Sequence, residues 1–222
     1  DFIDFEANQF SNEIISIGCV RENGDQFYSL INPKKRITEF ITNLTGITNE
    51  LLQKAENSEE VFQKFFEWCN EYPNDIPTFY CYGNSDTSFV KTNFNKAKNF
   101  KEKAILGYLF AGLRDYAPFV QSHFGLVKLI GLNKVYNYYT NSNNTQRHNA
   151  LDDALMLKYI FDKINNNIDN QEDINAFPEY KISNNTVIKT QIVRYDETNY
   201  KIIAKYDGFD EDINVPSTID GK

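Results

Sequence analysis

Apolar residues run in short, partly alternating blocks through the first thirty positions, a pattern that predicts strands rather than helices. Residues 1–7, 13–20 and 26–31 are apolar and rich in β-branched side chains, and the polar turn segment 22–25 separates the second block from the third. We expect these three strands to form an antiparallel meander that ends before Pro33.

The pattern then changes to helical spacing, with one short strand among the helices. Residues 78–82 predict a short buried strand that stops at Gly83. The type of the apolar segment 104–110 stays open. Helices are expected in short pieces between Ile37 and Ala55, from Asn57 or Ser58 to about Asn70, from about Asp86, over Pro118 to Phe124, and from Asn149 to about Lys163. A meander followed by alternating strands and helices predicts an α/β fold, with a mixed sheet of antiparallel and parallel strands flanked by helices.

The last quarter of the chain has a different composition. Residues 1–165 are expected to form one domain, residues 166–178 a polar linker, and residues 179–222 an acidic, β-rich appendage in which strands 186–195 and 199–206 make a hairpin. The uses of this appendage stay open, with dimerisation and the docking of a protein partner as two of them.

The net charge of −8 argues against a protein that grips phosphate backbones, since such proteins usually carry basic surfaces. Much of that charge lies in residues 169–222, which hold eleven acids against six bases. The stretch from Lys91 to Lys103 has five lysines and one acid, so it is either a patch that follows a nucleic-acid backbone or a solvated helix face.

The three cysteines, Cys19, Cys69 and Cys81, match neither a disulfide framework nor a CxxC metal pair, and we expect reduced thiols in a cytoplasmic protein. No run approaches the roughly 18 apolar residues of a membrane span, so no membrane association is expected. The sequence leaves open whether the chain is a segment of a longer protein.

Two acids interrupt the first apolar strand. Asp4 and Glu6 stand at i and i+2, so both side chains project from the same face of the sheet. Charges are poorly tolerated on an otherwise buried strand unless a cation compensates them. A metal site is therefore the more specific interpretation of these two acids. An edge strand with a solvated polar face is the alternative.

Further candidates follow the later strand and open the final helix. Asp86 lies at a helix start, where an ordinary N-cap is the competing interpretation. His148 precedes the last helix, whose dipole disfavours the imidazolium and keeps a neutral ring available as a base, and Asp153 comes one turn later. The other histidine, His123, stands among apolar residues and is assigned to packing.

Four carboxylates and one histidine are a sufficient set for two-metal phosphodiester hydrolysis, in which oxygen ligands hold two Mg²⁺ or Mn²⁺ ions about 3.5–4 Å apart. A general base then takes a proton from the attacking water. Neither a GxSxG elbow nor a phosphate-binding P-loop occurs, and Cys/His zinc chemistry has no support.

These motifs resemble the DEDDh exonucleases of the DnaQ-like, ribonuclease-H-like superfamily. The match covers about residues 1–165 and consists of Asp4-x-Glu6, Asp86 and His148-x-Ala150-x-x-Asp153-Ala154, in that order. The pattern from Pro33 to Thr48, with Thr45-Gly46-Ile47, is most similar to the enhanced-RNA-interference and KapD-type branch. The resemblance implies a ribonuclease-H-like fold and a 3′-to-5′ exonuclease that acts on single-stranded RNA or DNA 3′ ends, with RNA favoured.

The resemblance also implies roles for individual residues. Asp4, Glu6 and Asp153 would bind the first metal, Asp4 would bridge to the second, Asp86 would act through a water, and His148 would be the general base. The terminal base and sugar would contact Ala7, Asn8, Leu44 and Thr45. Ser85 stands where the family often has an aromatic residue, which leaves base stacking at that position in doubt. A DNA proofreading or repair subunit, a small-substrate oligoribonuclease and a non-catalytic interaction module remain as alternatives.

Overall fold

A computed structural model of the chain describes residues 1–70, 78–146, 148–166, 175–181, 189–194, 200–206 and 209–217. A five-stranded sheet forms its centre, in the order β3-β2-β1-β4-β5. The strands are β1 (Phe2–Ala7), β2 (Ile14–Val20), β3 (Gln26–Leu30), β4 (Phe79–Cys81) and β5 (Leu113–Asp115). The meander β1-β2-β3 is antiparallel, whereas β4 pairs in parallel with both β1 and β5. The predicted mixed sheet is thus confirmed.

Eight α-helices surround this sheet in the described part of the chain. They are α1 (Glu39–Thr45), α2 (Asn49–Lys54), α3 (Ser58–Cys69), α4 (Ser85–Lys96), α5 (Phe100–Gly112), α6 (Ala117–His123), α7 (Leu132–Thr140) and α8 (Ala150–Asn166). Within the same residues, no helix has the length and apolar character needed to cross a bilayer.

The two faces of β1 have different neighbours because its side chains alternate. Ile3 and Phe5 join a core cluster with residues of α3 and α5. Phe2, on the opposite face, packs in a second cluster with residues of α6, α7 and α8. Asp4 and Glu6 share the face of Phe2, so the two acids point to the side where α8 lies.

Several elements differ from the sequence prediction. The ambiguous segment 104–110 is helical, as part of α5, and β5 and α7 were not predicted as separate elements. β5 has only three residues, and α7 is rich in asparagine and tyrosine, which are mediocre helix formers. Tertiary packing, and not local sequence preference, therefore determines that β5 and α7 form.

The C-terminal hairpin prediction was incomplete. Strands β6 (Lys189–Arg194) and β7 (Tyr200–Tyr206) pair antiparallel as expected, and β8 (Phe209–Ser217) adds a third strand to this sheet. The acidic residues at 210–212 and Pro216 are poor strand formers, so residue preferences did not predict β8.

Part of the predicted linker packs on the main domain. Ala176 is buried, and Phe177 contacts Phe124 and Tyr138 edge-on or tilted, with ring centroids about 5 Å apart. The backbone N–H of Val127 donates to the carbonyl of Tyr180 at 2.9 Å. Residues 175–181 are thus held against α6 and α7, and the predicted boundaries of the linker stay a prediction.

Candidate active site

Asp4 lies opposite the residue of β2 that allows α8 to approach the sheet. Asp4 pairs with Gly18 and Glu6 with Ser16 in the antiparallel register. A Cβ atom at Gly18 would overlap the backbone of Ala150, the first residue of α8. Gly18 is therefore the residue that lets the start of α8 sit directly on the sheet beside the two acids.

Asp86 is held at the N-terminus of α4, directly after β4. Gly83 makes the turn with a left-handed φ of 95°, and its N–H donates to Asp115 Oδ1 at 2.7 Å. The Asp86 side chain is only 3% exposed, and its Oδ1 accepts the N–H of Phe5 at 3.1 Å. This bond ties the carboxylate to the strand between Asp4 and Glu6, which an ordinary N-cap would not do.

His148 and Asp153 are placed by the capped start of α8. Asn149 Oδ1 accepts the N–H groups of Leu151 and Asp152 at 3.0 and 3.2 Å, so Asn149 caps the helix. His148 has a positive φ of 47°, a left-handed conformation that is sparsely populated and is found preferentially at functional sites. A ring nitrogen of this histidine lies within 4.8 Å of a carboxylate oxygen of Asp153, one turn into α8.

Three of the predicted site residues converge on one point. Glu6, His148 and Asp153 each offer a ligand atom, and these atoms lie within 4.8 Å of one another. Asp153 is 3% exposed; its Oδ2 accepts from Gln146 Nε2 at 2.7 Å, whereas its buried Oδ1 has no hydrogen-bond partner among the described residues. An orphaned, buried carboxylate oxygen beside another acid is the environment that a divalent cation compensates, so these residues fit a metal.

Burial and mutual repulsion set the protonation of the four acids. Burial, followed by the charges of Asp86, Glu6 and Asp153, raises the pKa of Asp4 well above its usual value. Burial and the neighbouring acids raise the pKa of Glu6 to about 8. The pKa of Asp86 rises to about 7, mainly through burial, although the Phe5 N–H opposes the shift. Burial also raises the pKa of Asp153, against the opposing hydrogen bond from Gln146.

These shifts predict how stability depends on pH without metal. Carboxyl groups with a raised pKa in the folded state stabilise the fold while they are protonated, and that contribution is lost as pH rises through the folded pKa values. For Glu6 and Asp86 the loss falls between about pH 4, the unfolded pKa, and about pH 8. In EDTA, we expect Tm to fall by at least about 2–4 °C from pH 6 to pH 8, the shift produced by 1 kcal/mol in a chain of this size.

Divalent metal should reverse this trend, because the ion binds the ionised carboxylates. The increase in Tm on adding Mn²⁺ is expected to be larger at pH 8 than at pH 6, as measured by differential scanning fluorimetry. Asp152→Asn, which removes an exposed acid beside the cluster, is the matched control and should keep the wild-type dependence. A Tm in EDTA that rises from pH 6 to pH 8 would contradict the assignment.

The predicted substrate-contact residues lie at the end of β1 and on α1. Ala7 is the last residue of β1, and Leu44 is 37% exposed on α1. Asn8 is buried, and its Nδ2 donates to the carbonyls of Lys35 and Arg36. The Thr45 hydroxyl donates to the Ile41 carbonyl at 2.8 Å. Their contact with substrate stays a prediction, in which Asn8 and Thr45 would act through backbone atoms because their side chains are already bonded.

Asp152 and His123 are a second acid and a second histidine to compare with the predicted site residues. Asp153 is buried in the cluster, whereas its neighbour Asp152 is exposed. His123 stands edge-on to the ring of Phe124, with centroids 4.9 Å apart, at the end of α6. It lies in a different part of the fold from the metal-binding candidates.

Sequence reasoning missed several residues that position the site. Gln146 holds Asp153, and Asn93 joins α4 to the β1–β2 turn by donating to the Asn12 carbonyl at 2.8 Å and accepting the Ile14 N–H. The sequence around Gln146 and Asn93 does not predict these contacts. Asn93 bonds to residues far away in the sequence, and Gln146 lies in the loop before α8. Gly18 had one: a glycine inside an apolar strand often marks a close backbone approach.

A family model described as an exonuclease family (RNase T) matches residues 2–161. The chain belongs to this exonuclease family. Similar curated proteins include the PolC-type DNA polymerase III of Caldanaerobacter subterraneus subsp. tengcongensis, which is 29% identical over 72% of the chain. Its counterpart from Staphylococcus aureus is 31% identical over 71% of the chain. The chain spans only 11% and 10% of the length of these two relatives.

A solved structure confirms the ribonuclease-H-like fold of this chain. The nuclease domain of 3′hExo, described as a DEDDh family member bound to rAMP, has a TM-score of 0.58 and 20% sequence identity. The match covers 75% of this chain and 90% of that domain. DEDDh exonucleases use divalent metal ions, and the cluster of Glu6, His148 and Asp153 lies where this chain can bind one.

Proposed function

We propose that this chain is a metal-dependent 3′-to-5′ exonuclease that removes nucleoside 5′-monophosphates from single-stranded nucleic acid. The observation that carries the proposal is the convergence of Glu6, His148 and Asp153 beside the central strand β1, in a member of the exonuclease family; Asp153 Oδ1 has no hydrogen-bond partner among the described residues. All four carboxylates of the motif are present, together with its histidine.

Each residue has a role in this proposal. Asp4, Glu6 and Asp153 would bind one Mg²⁺ or Mn²⁺ ion, Asp4 would be shared with a second, and Asp86 would act through a bound water. When bound, the ions would lower the pKa of the attacking water and stabilise the leaving oxygen. His148 takes the proton from that water as general base. Water would attack phosphorus and the P–O3′ bond would break. The leaving O3′ would take a proton to become the new 3′ hydroxyl of the shortened strand, and the released nucleotide would keep the phosphate on its 5′ oxygen.

The 3′-terminal nucleotide would bind beside Leu44 and Thr45, with Ala7 and Asn8 facing its sugar. Backbone atoms and one apolar side chain give little base selectivity, so weak sequence preference is expected. The contacts of Asn8 with residues 35 and 36 support this arrangement, because they join the end of β1 to the segment that leads into α1.

RNA is the proposed substrate. The segment from Pro33 to Thr48 resembles the enhanced-RNA-interference and KapD-type branch, and the structural neighbour 3′hExo was solved with rAMP. A DNA proofreading exonuclease is the second candidate, favoured by the PolC-type DNA polymerase III relatives.

A gel time course with 5′-labelled single-stranded RNA and DNA of equal sequence tests the proposal. In Mn²⁺ we expect a ladder that shortens from the 3′ end and is absent in EDTA, with RNA shortened faster. Faster cleavage of DNA would favour the proofreading candidate. Wild-type protein that cleaves neither strand in Mn²⁺ would contradict the proposed function and favour a non-catalytic module.

A further inference from the structure

The corner between α4 and α5 exposes an aromatic ring among lysines. Phe100, the first residue of α5, is 86% exposed. Lys96, Lys98, Lys101 and Lys103 surround it in sequence, and all four are exposed. These five residues are called the α4–α5 corner below. Such a cluster contrasts with the net charge of −8 of the whole chain.

The lysines of this corner are not neutralised by ion pairs with the described residues. None of the four forms a salt bridge with a carboxylate among the described residues. The nearby acids are bonded on the α3 side instead: Glu102 accepts from the Ser58 hydroxyl, and Glu59 accepts from Asn99 Nδ2 at 2.6 Å. Lys96 Nζ donates to a backbone carbonyl and the Lys103 ammonium lies over the Phe94 ring at 5.1 Å, so Lys98 and Lys101 are the lysines best placed to meet an anionic ligand.

The α4–α5 corner is connected to the active site by α4 and the β1–β2 turn. Asp86 lies in the first turn of α4 and Lys96 is its last residue, so the two are about 15 Å apart along the axis at 1.5 Å per residue. Lys96 Nζ donates to the Ser11 carbonyl, in the turn that follows Ala7 and Asn8. α4 thus carries Asp86 near its start and Lys96 of the corner at its end, and Lys96 also contacts the turn that follows β1.

We infer that the α4–α5 corner is a second binding site for the substrate strand, with its lysines on phosphates and Phe100 stacked against a base. Single-strand binding surfaces combine a positive path along the backbone with aromatic rings that accept any base. The inference rests on the proposed function, because it adds a site upstream of the scissile nucleotide. A dinucleotide covers only about 7 Å at 3.4 Å per nucleotide and would not reach the corner. The corner should therefore distinguish long substrates from dinucleotides.

Binding is tested without cleavage, by fluorescence anisotropy in EDTA with labelled single-stranded RNA of about 16 nucleotides, the upper end of single-strand site sizes. We expect Phe100→Ala to raise Kd roughly 5-fold or more, the low end of the effect of losing one stacked base. Lys98→Gln with Lys101→Gln should weaken binding and make the slope of log Kd against log salt shallower by about 1.4, since each lost phosphate contact contributes about 0.7.

Lys128→Gln with Lys134→Gln is the matched control, because both lysines are exposed and lie together at Tyr180, away from the corner. This pair should keep wild-type Kd and salt slope. Wild-type Kd in the Phe100 and Lys98/Lys101 variants, an equal loss in the control pair, or no binding by the wild type would each overturn the inference.

Cleavage of a dinucleotide separates this inference from the proposed function. The corner variants should cleave a dinucleotide in Mn²⁺ at the wild-type rate and lose efficiency only on the long strand, through KM. If the wild type cleaves neither substrate, the proposed function fails, whereas the anisotropy result still decides the corner. If dinucleotide cleavage falls as much as long-strand cleavage, the corner acts on the active site and not as an upstream binding site.

Discussion

Asp4→Ala is expected to lower kcat on single-stranded RNA by at least about 10³-fold without lowering the stability of the metal-free protein. Loss of a partner that only orients a metal ligand typically costs 10–100-fold, so loss of a ligand shared by two ions should cost more. The fold should tolerate the change because Asp4 lies among three other acids that repel it. Removing that repulsion should leave Tm in EDTA unchanged or raise it.

The measurement pairs single-turnover cleavage in saturating Mn²⁺ with a thermal melt in EDTA. Asp152→Ala is the matched control, since it removes an exposed acid beside Asp153 and should keep activity. Activity lost together with several degrees of Tm would instead make Asp4 a structural residue. Retained turnover of Asp4→Ala in saturating metal would remove the basis of the two-metal proposal.

The motif residues could be placed from the sequence because each depends on local geometry. The period of two along β1 puts Asp4 and Glu6 on one face, and the start of α8 fixes His148 one turn before Asp153. Asp86 needed only the end of a short apolar strand. The structure brings Glu6, His148 and Asp153 together, and links Asp86 to β1 through Phe5.

The supporting contacts could not be predicted in the same way, because they join residues far apart in sequence. Gly18 meets Ala150, and Asn93 meets the turn at Asn12, only after the sheet and helices have assembled. The two alanines in the motif, Ala150 and Ala154, are both fully buried, as a close approach of α8 to the sheet requires. The residue that receives the helix on the sheet side was not identified.

Elements whose residues have only a weak preference for helix or strand could not be predicted from the sequence either. α7 forms because its tyrosines pack on neighbouring rings, as Tyr136 does against Tyr159 of α8 with centroids 5.4 Å apart. The segment before α8, which contains Gln146, follows this helix. Propensity alone therefore could not show how the chain approaches His148.

His148→Asn is expected to lower kcat by roughly 10²–10⁴-fold, the usual contribution of a positioned general base. Asparagine is the better replacement because residue 148 has a positive φ of 47°, which asparagine tolerates and alanine does not. His148→Ala should lose the same base but also strain the turn. The difference in Tm between these variants then measures the backbone effect separately from the chemistry.

The affinity of the His148 variant for Mn²⁺ distinguishes two roles of the imidazole, general base and metal ligand. His148 lies within ligand distance of Glu6 and Asp153, so it could serve either as a base or as a metal ligand. As a general base, its loss should leave the Kd for Mn²⁺ unchanged, and added imidazole should restore part of the rate. A Kd raised at least tenfold in His148→Asn would make it a ligand. A near-neutral effect on kcat would place the base on another group. His123→Asn, at the end of α6, is the control for histidine loss elsewhere and should keep full activity.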